Sequence, residues 1–135
     1  VGLFDALRVS ASGLAAERLR LDVIAGNLAN ANSTSGPDGQ PFRKRMVVLQ
    51  EAPAESGAVS GGVRVAAIAD DPSPPRRVYD PSHPDADEQG YVTLPNVNPV
   101  GEMVDMIGAS RAYEANVTAM KAAKDMALRT LDLLR

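Results

Sequence analysis

The sequence predicts a mainly α protein. Long N- and C-terminal helices pair in a coiled-coil-like way, with a small β-hairpin and an extended Pro-rich strap between them. Three observations predict this. From Asn98 onward the chain has no proline after Pro99 and no glycine after Gly108, and its apolar residues recur at three- and four-residue spacing. Residues 3–31 repeat that spacing, with Leu7, Leu14, Leu21 and Leu28 at every seventh position. Between the two, residues 70–99 hold seven of the ten prolines. The expected organisation is one axial helical domain made of 3–32 and 98–135, with 33–97 supplying the hairpin and strap.

The first helix is marked by Phe4, Leu7, Ala11, Leu14, Arg18, Leu21, Ala25 and Leu28. Arg18 interrupts the apolar line, but its aliphatic stem can cover apolar surface while its charge stays wet. Gly13 and Gly26 each weaken the helix by up to about 1 kcal/mol and permit close approach of another helix. The helix is expected to end within Asn27-Leu-Ala-Asn30-Ala-Asn32, because asparagine tolerates a left-handed C-cap.

Residues 32–41, Asn-Ser-Thr-Ser-Gly-Pro-Asp-Gly-Gln-Pro, have loop composition. Phe42–Gln50 and Gly62–Ala69 read as strands of one hairpin, with a loose tip over 52–62. A lone hairpin is marginal in water and needs a surface to lean on. Asp71-Pro-Ser-Pro74-Pro75 is expected to be polyproline-like, opening a strap to residue 98 with Tyr79, Tyr91, Val92 and Leu94 as anchors.

Asn98 is a strong N-cap and Pro99 suits the first helical position. Glu102 lies near the positive end of the helix dipole, and Arg129 and Arg135 near the negative end. The helix would run about 55 Å at 1.5 Å per residue, long for a chain of this size. Met103, Met106, Ser110, Tyr113, Val117, Met120, Lys124, Ala127, Leu131 and Leu134 form one stripe. Ala109, Ala112, Ala119, Ala123, Met126 and Leu133 form a second beside it. One partner helix cannot cover both, so the pattern points to assembly into something larger.

Composition excludes several functions. A net charge of −3 disfavours binding that depends on neutralising nucleic-acid phosphates. With no cysteine there are no disulfides or thiolate metal sites, and the compartment is left open. No apolar run is long enough to span a membrane, and the N-terminus has no basic segment followed by an apolar one, so a cleaved secretory signal is not expected. His83 lies among Asp80, Asp85, Asp87 and Glu88, but a hydrolytic zinc site wants more than one histidine. Asp85-Ala-Asp87 starts like a calcium loop, yet Asn96 stands where the bidentate glutamate belongs. These acids read instead as a turn that caps itself. No serine stands in a nucleophile-elbow context, and the glycines at 57, 61 and 62 make no phosphate loop. Hence no catalytic, cofactor or metal residue is expected. Arg43-Lys44-Arg45 has two readings: charge protection of a strand edge, or contact with an acidic segment such as 80–88 of a neighbouring subunit.

Two stretches carry a family resemblance. Ser12 to Ser33, with Asn27-Leu-Ala29-Asn30 at its end, looks like the axial-protein signature of flagella. Asp71 to Asp87, with Pro74, Pro75, Tyr79, Asp80 and Pro81, continues through Tyr91 and Asn98 into Glu102-Met-Val-Asp-Met-Ile and Ala109-Ser-Arg-Ala-Tyr-Glu-Ala-Asn116. Together they resemble the rod proteins of the bacterial flagellar basal body, of the proximal-rod, FlgC type. The resemblance implies a structural subunit without enzymatic activity and without a small-molecule or nucleic-acid ligand. Such subunits leave through the flagellar type III export apparatus without a cleaved signal. They assemble in the periplasm into the helical drive shaft that transmits torque. The implied partners are further copies, other proximal rod proteins, the membrane-ring adaptor and ring protein, and the distal rod protein. The expected assembly surface is Leu7, Leu14, Leu21 and Leu28 on one helix with Met103, Met106, Tyr113, Val117, Met120, Leu131 and Leu134 on the other. A soluble coiled-coil adaptor is the competing reading; it accounts for the heptads but not for the strap or the asparagine-rich helix end.

Overall fold

The computed structural model describes residues 2–36, 38–53 and 61–135. In chain order these form α1 (Leu3–Ala29), β1 (Arg45–Glu51), β2 (Val63–Asp70), β3 (Arg76–Tyr79), β4 (Tyr91–Leu94) and α2 (Pro99–Leu133). The expected hairpin tip lies largely outside the described residues.

The helices pack against each other and run antiparallel. Asn27 meets Glu102, and a Cβ at Gly13 would lie 2.9 Å from Asn116 Nδ2. The residue numbers of each pair add to 129, so α2 descends as α1 climbs. Gly13 is therefore a point of close approach, as expected, whereas a Cβ at Gly26 would meet open space. In this register Leu3 is level with Met126. The end of α2 projects past α1 by about 10 Å.

Both helix starts follow local chemistry. The Asp5 carboxylate accepts from Gly2 N–H at 3.0 Å. Asn98 Oδ1 accepts from the N–H groups of Val100 and Gly101, at 3.1 and 3.4 Å. The end of α1 differs from expectation. Asn30 caps it at φ −102°, not in the left-handed region. Its side-chain Nδ2 donates to Gly26 O at 2.9 Å, so the orphan carbonyl is satisfied without left-handed backbone.

The leucine heptad is not the centre of the helix contact. Leu7, Leu14, Leu21 and Leu28 are half-buried, while the fully buried α1 positions are Ala16, Ile24 and Asn27. At 100° per residue the leucines lie along the flank of the α2-facing strip. On α2 the buried positions are Glu102, Ala109 and Ala123. Small residues at the centre let the helices come close; larger ones line the sides.

β1 and β2 pair antiparallel with a register irregularity between Val48 and Leu49. The hairpin leans on α1: Ser12 Oγ accepts from Val63 N–H at 3.0 Å and donates to Val9 O at 2.6 Å. Gly62 has φ +111°, and a Cβ there would lie 2.9 Å from Ser12 Oγ. β1 begins at Arg45, later than the expected Phe42, because Lys44 N–H is taken by Asn96 Oδ1 rather than by a strand.

Residues 70–98 are not one extended strap. β3 and β4 pair antiparallel as a second two-stranded sheet. Their reversal depends on Gly90 at φ +82°, where a Cβ would lie 2.9 Å from Tyr79 Cε2. Tyr79 and Tyr91 then meet edge to face across the pair, ring centres 5.3 Å apart. Pro72, Pro74 and Pro75 stay outside the ladder, before β3.

Candidate functional site: helix junction and outward faces

The two helices and the β1–β2 hairpin converge where α1 ends, β1 begins and α2 begins. Asn27 and Glu102 are each 1% exposed. The Asn27 carboxamide donates to Arg45 O and accepts from Arg45 N–H, both at 2.9 Å. It thereby pairs both backbone groups of the strand's first residue, as a peptide of a third strand would. The same Nδ2 donates to Glu102 Oε2 at 3.0 Å. Lys44 Nζ lies 2.7 Å from Glu102 Oε1. The nearby Glu102 carboxylate holds the Lys44 ammonium above the ordinary lysine pKa, against a smaller opposing effect of burial. Val97 and Pro95 are buried in the approach to α2.

Two further side chains tie the middle of the chain to this junction. Asn96 accepts from Lys44 N–H and donates to Asp71 O and Ser73 O at 3.2 and 3.0 Å. Arg76 donates to Pro95 O and Ala31 O, both at 3.2 Å, joining β3 to the segment after α1.

The acidic residues around His83 are engaged in turns. Asp80 accepts from Ser82 N–H and Oγ. Asp87 accepts from Gln89 N–H and Tyr91 N–H and pairs with Arg77. Asp71 accepts from Ser73. These bonds hold all three carboxylates below the usual aspartate pKa, by Ser82 at Asp80, by Tyr91 N–H at Asp87 and by Ser73 at Asp71. His83 Nδ1 accepts from Asp85 N–H, and Asp85 accepts from Thr34. Of the basic trio, Lys44 serves the junction, Arg45 lies over the Phe42 ring at 5.7 Å, and Arg43 is exposed.

The surface residues fall into two groups. Met106, Tyr113, Val117 and Met120 are half-buried beside α1. Met103, Leu131 and Leu134 are exposed. Met103 belongs to a run with Val100, Val104 and Ile107, all exposed, on the side of α2 away from α1. Leu131 and Leu134, 60% and 79% exposed, continue the α1-facing stripe beyond the point where α1 stops.

Comparison with known proteins fits this geometry. The family model described as "Flagella basal body rod protein" matches residues 7–37. That described as "Flagellar basal body rod FlgEFG protein C-terminal" matches residues 88–133. The two matches cover the two sides of the junction. The chain is 50% identical to "Flagellar basal-body rod protein FlgC" of Yersinia enterocolitica over 133 residues, spanning 98% of both chains. It is 43% identical to the protein of that name from Bacillus subtilis, spanning 96% of this chain and 97% of the other. The chain belongs to the FlgC family of flagellar basal-body rod proteins. Membership makes it a structural rod subunit and not an enzyme, and the soluble-adaptor reading falls away.

Within the FlgC frame, Asn27 has a concrete role, since it joins both helices to β1. Lys44, Asn96, Arg76 and the buried role of Glu102 escaped sequence reasoning. The one available signal was the asparagine motif itself, which named the place without naming its partners.

Proposed function

We propose that this rod subunit works in the proximal rod, as part of the periplasmic drive shaft, and that its helix pair is the axial domain by which it packs into a helical tube. The observation that carries the reading is surface. A compact monomer of 14.2 kDa exposes about 6,800 Å², and this chain exposes 9234 Å², roughly 2,400 Å² more. The exposed apolar runs on α2 supply the chemistry for covering it. At about 25 cal/mol per Å², burying ~600 Å² of apolar surface per subunit contributes roughly 15 kcal/mol gross, before ordering costs.

On this reading the outward face of α2 and its projecting end contact neighbouring subunits, which include further copies, other proximal rod proteins and the distal rod protein. The membrane-ring adaptor and ring protein are further partners. The chain passes through the flagellar type III export apparatus. No helix of the described residues is long and apolar enough to cross a membrane.

The test is extraction of basal bodies with detergent from the native cell, followed by salt washing and probing for this chain. Retention with the rod is the expected result. Recovery solely in the soluble fraction would refute the assembly reading.

A further inference from the structure

The helix seam offers a second alignment besides the one that the chain adopts. Facing positions of α2 repeat at the heptad interval. Sliding α2 by seven residues toward the junction puts Tyr113 where Met106 was, Asn116 where Ala109 was and Ala123 where Asn116 was. The same slide, about 10 Å, brings Leu131 and Leu134 level with the start of α1. The projecting end therefore gains apolar burial in the slipped arrangement, although Asn116 then takes the fully buried place of Ala109. Yet the chain holds the register that leaves Leu131 and Leu134 bare.

We propose that Asn27, Lys44 and Glu102 are the positioning residues that set the helix register, and so the length of α2 left projecting past α1. The slide replaces Glu102 by Ala109 beside Asn27 and Lys44. The buried carboxamide then loses its acceptor on α2 and keeps only Arg45, and the part-buried ammonium loses its close counter-charge. Groups buried without partners are costly, whereas apolar contacts repack with modest change. A buried polar cluster is satisfied in one alignment only; that is how such clusters specify register at some expense of stability. Val97 and Pro95 anchor the same end but are apolar, and they do not distinguish one polar alignment from another. The register is a property of the single chain and holds whether or not the subunit assembles as proposed above.

The chain has no cysteine, so disulfide reporters are unambiguous. Gly13→Cys with Asn116→Cys reports the observed register; Gly13→Cys with Ala123→Cys reports the slipped one. In the purified full chain the first pair is expected to oxidise to an intrachain disulfide and the second is not. Adding Asn27→Leu, Lys44→Met and Glu102→Leu together is expected to raise the 13/123 yield at least tenfold. Lys44→Arg alone, which keeps the charge, is expected to leave only the 13/116 product. The proposal is overturned if the triple variant still gives only 13/116. Loss of both products in that variant overturns it too, since the cluster would then form the pair instead of choosing its alignment. Failure of 13/116 in the otherwise native sequence overturns the register itself.

Discussion

Replacing Asn27 by alanine removes three hydrogen bonds at once: from Arg45 N–H, to Arg45 O and to Glu102 Oε2. Each is worth about 1 kcal/mol net, and a buried group left unpartnered costs about 1–3 kcal/mol. Glu102 keeps Lys44, and the Arg45 backbone is part-buried, so partial rehydration limits the loss. The expected destabilisation is about 3–4 kcal/mol. A domain of this size has about 7–15 kcal/mol in total, so the variant still folds at low temperature. The melting temperature should fall by roughly 10–15 °C. Thermal and urea denaturation of the purified full chain, followed by circular dichroism, measures both quantities. Asn27→Asp is the sharper probe. It is isosteric and keeps the acceptor for Arg45 N–H, but it loses the donors and sets a second carboxylate against Glu102. It is expected to be at least as damaging as alanine. A shift under about 3 °C for Asn27→Ala, or an Asn27→Asp variant close to the native chain, would refute the view that this carboxamide ties the elements together.

Other perturbations separate local from assembled effects. Leu131→Asp alters an exposed residue, so stability should change by less than about 0.5 kcal/mol, while swimming in soft agar and rod retention are lost; normal motility would count against the projecting end as a contact. Gly90→Ala forces a side chain into left-handed backbone and against Tyr79, so a loss of about 2 kcal/mol is expected in the denaturant midpoint. Lys44 has a raised folded-state pKa, so its contribution is full below the ordinary lysine value of 10.5 and is lost as pH rises through the higher folded value. The native chain should thus show an alkaline fall in melting temperature that is shallower in Lys44→Met. Asp71, Asp80 and Asp87 act in the opposite sense: their contribution is present above the ordinary value of 3.8 and fades as pH falls through their lower folded values, seen as acid loosening of the β3–β4 region by hydrogen exchange.

The helices were legible because their signals are local. Asn98-Pro99 announces a start, and three- and four-residue spacing needs only a window of a few turns. The β1–β2 hairpin was legible for the same reason, from two apolar runs flanked by turn residues. β3 and β4 were not. Their connection runs from Asp80 to Gly90 and is built from side-chain turns, and the surrounding prolines read as extended chain. The junction was the least visible part. Asn27 and Glu102 are separated by 75 positions and Asn27 and Arg45 by 18, so no helix or turn rule relates them. Glu102 satisfied a dipole rule that gave no reason to expect a buried ion pair. The leucine heptad misled in the other direction: strong periodicity marked the correct helix but the flank of its contact, since glycine and alanine at the centre carry no hydrophobic signal.

The outer side of Arg45, away from β2, is closed by a side chain from α1 and not by another strand. Sealing a sheet with a helix residue makes the seal conditional on docking. A subunit whose α1 has yet to settle leaves the Arg45 backbone unpaired at the start of a strand whose Met46, Val48 and Leu49 are exposed even after docking, the kind of template that recruits other chains. An Asn27 variant is thus expected to aggregate more readily than the native chain, at temperatures where it is still folded.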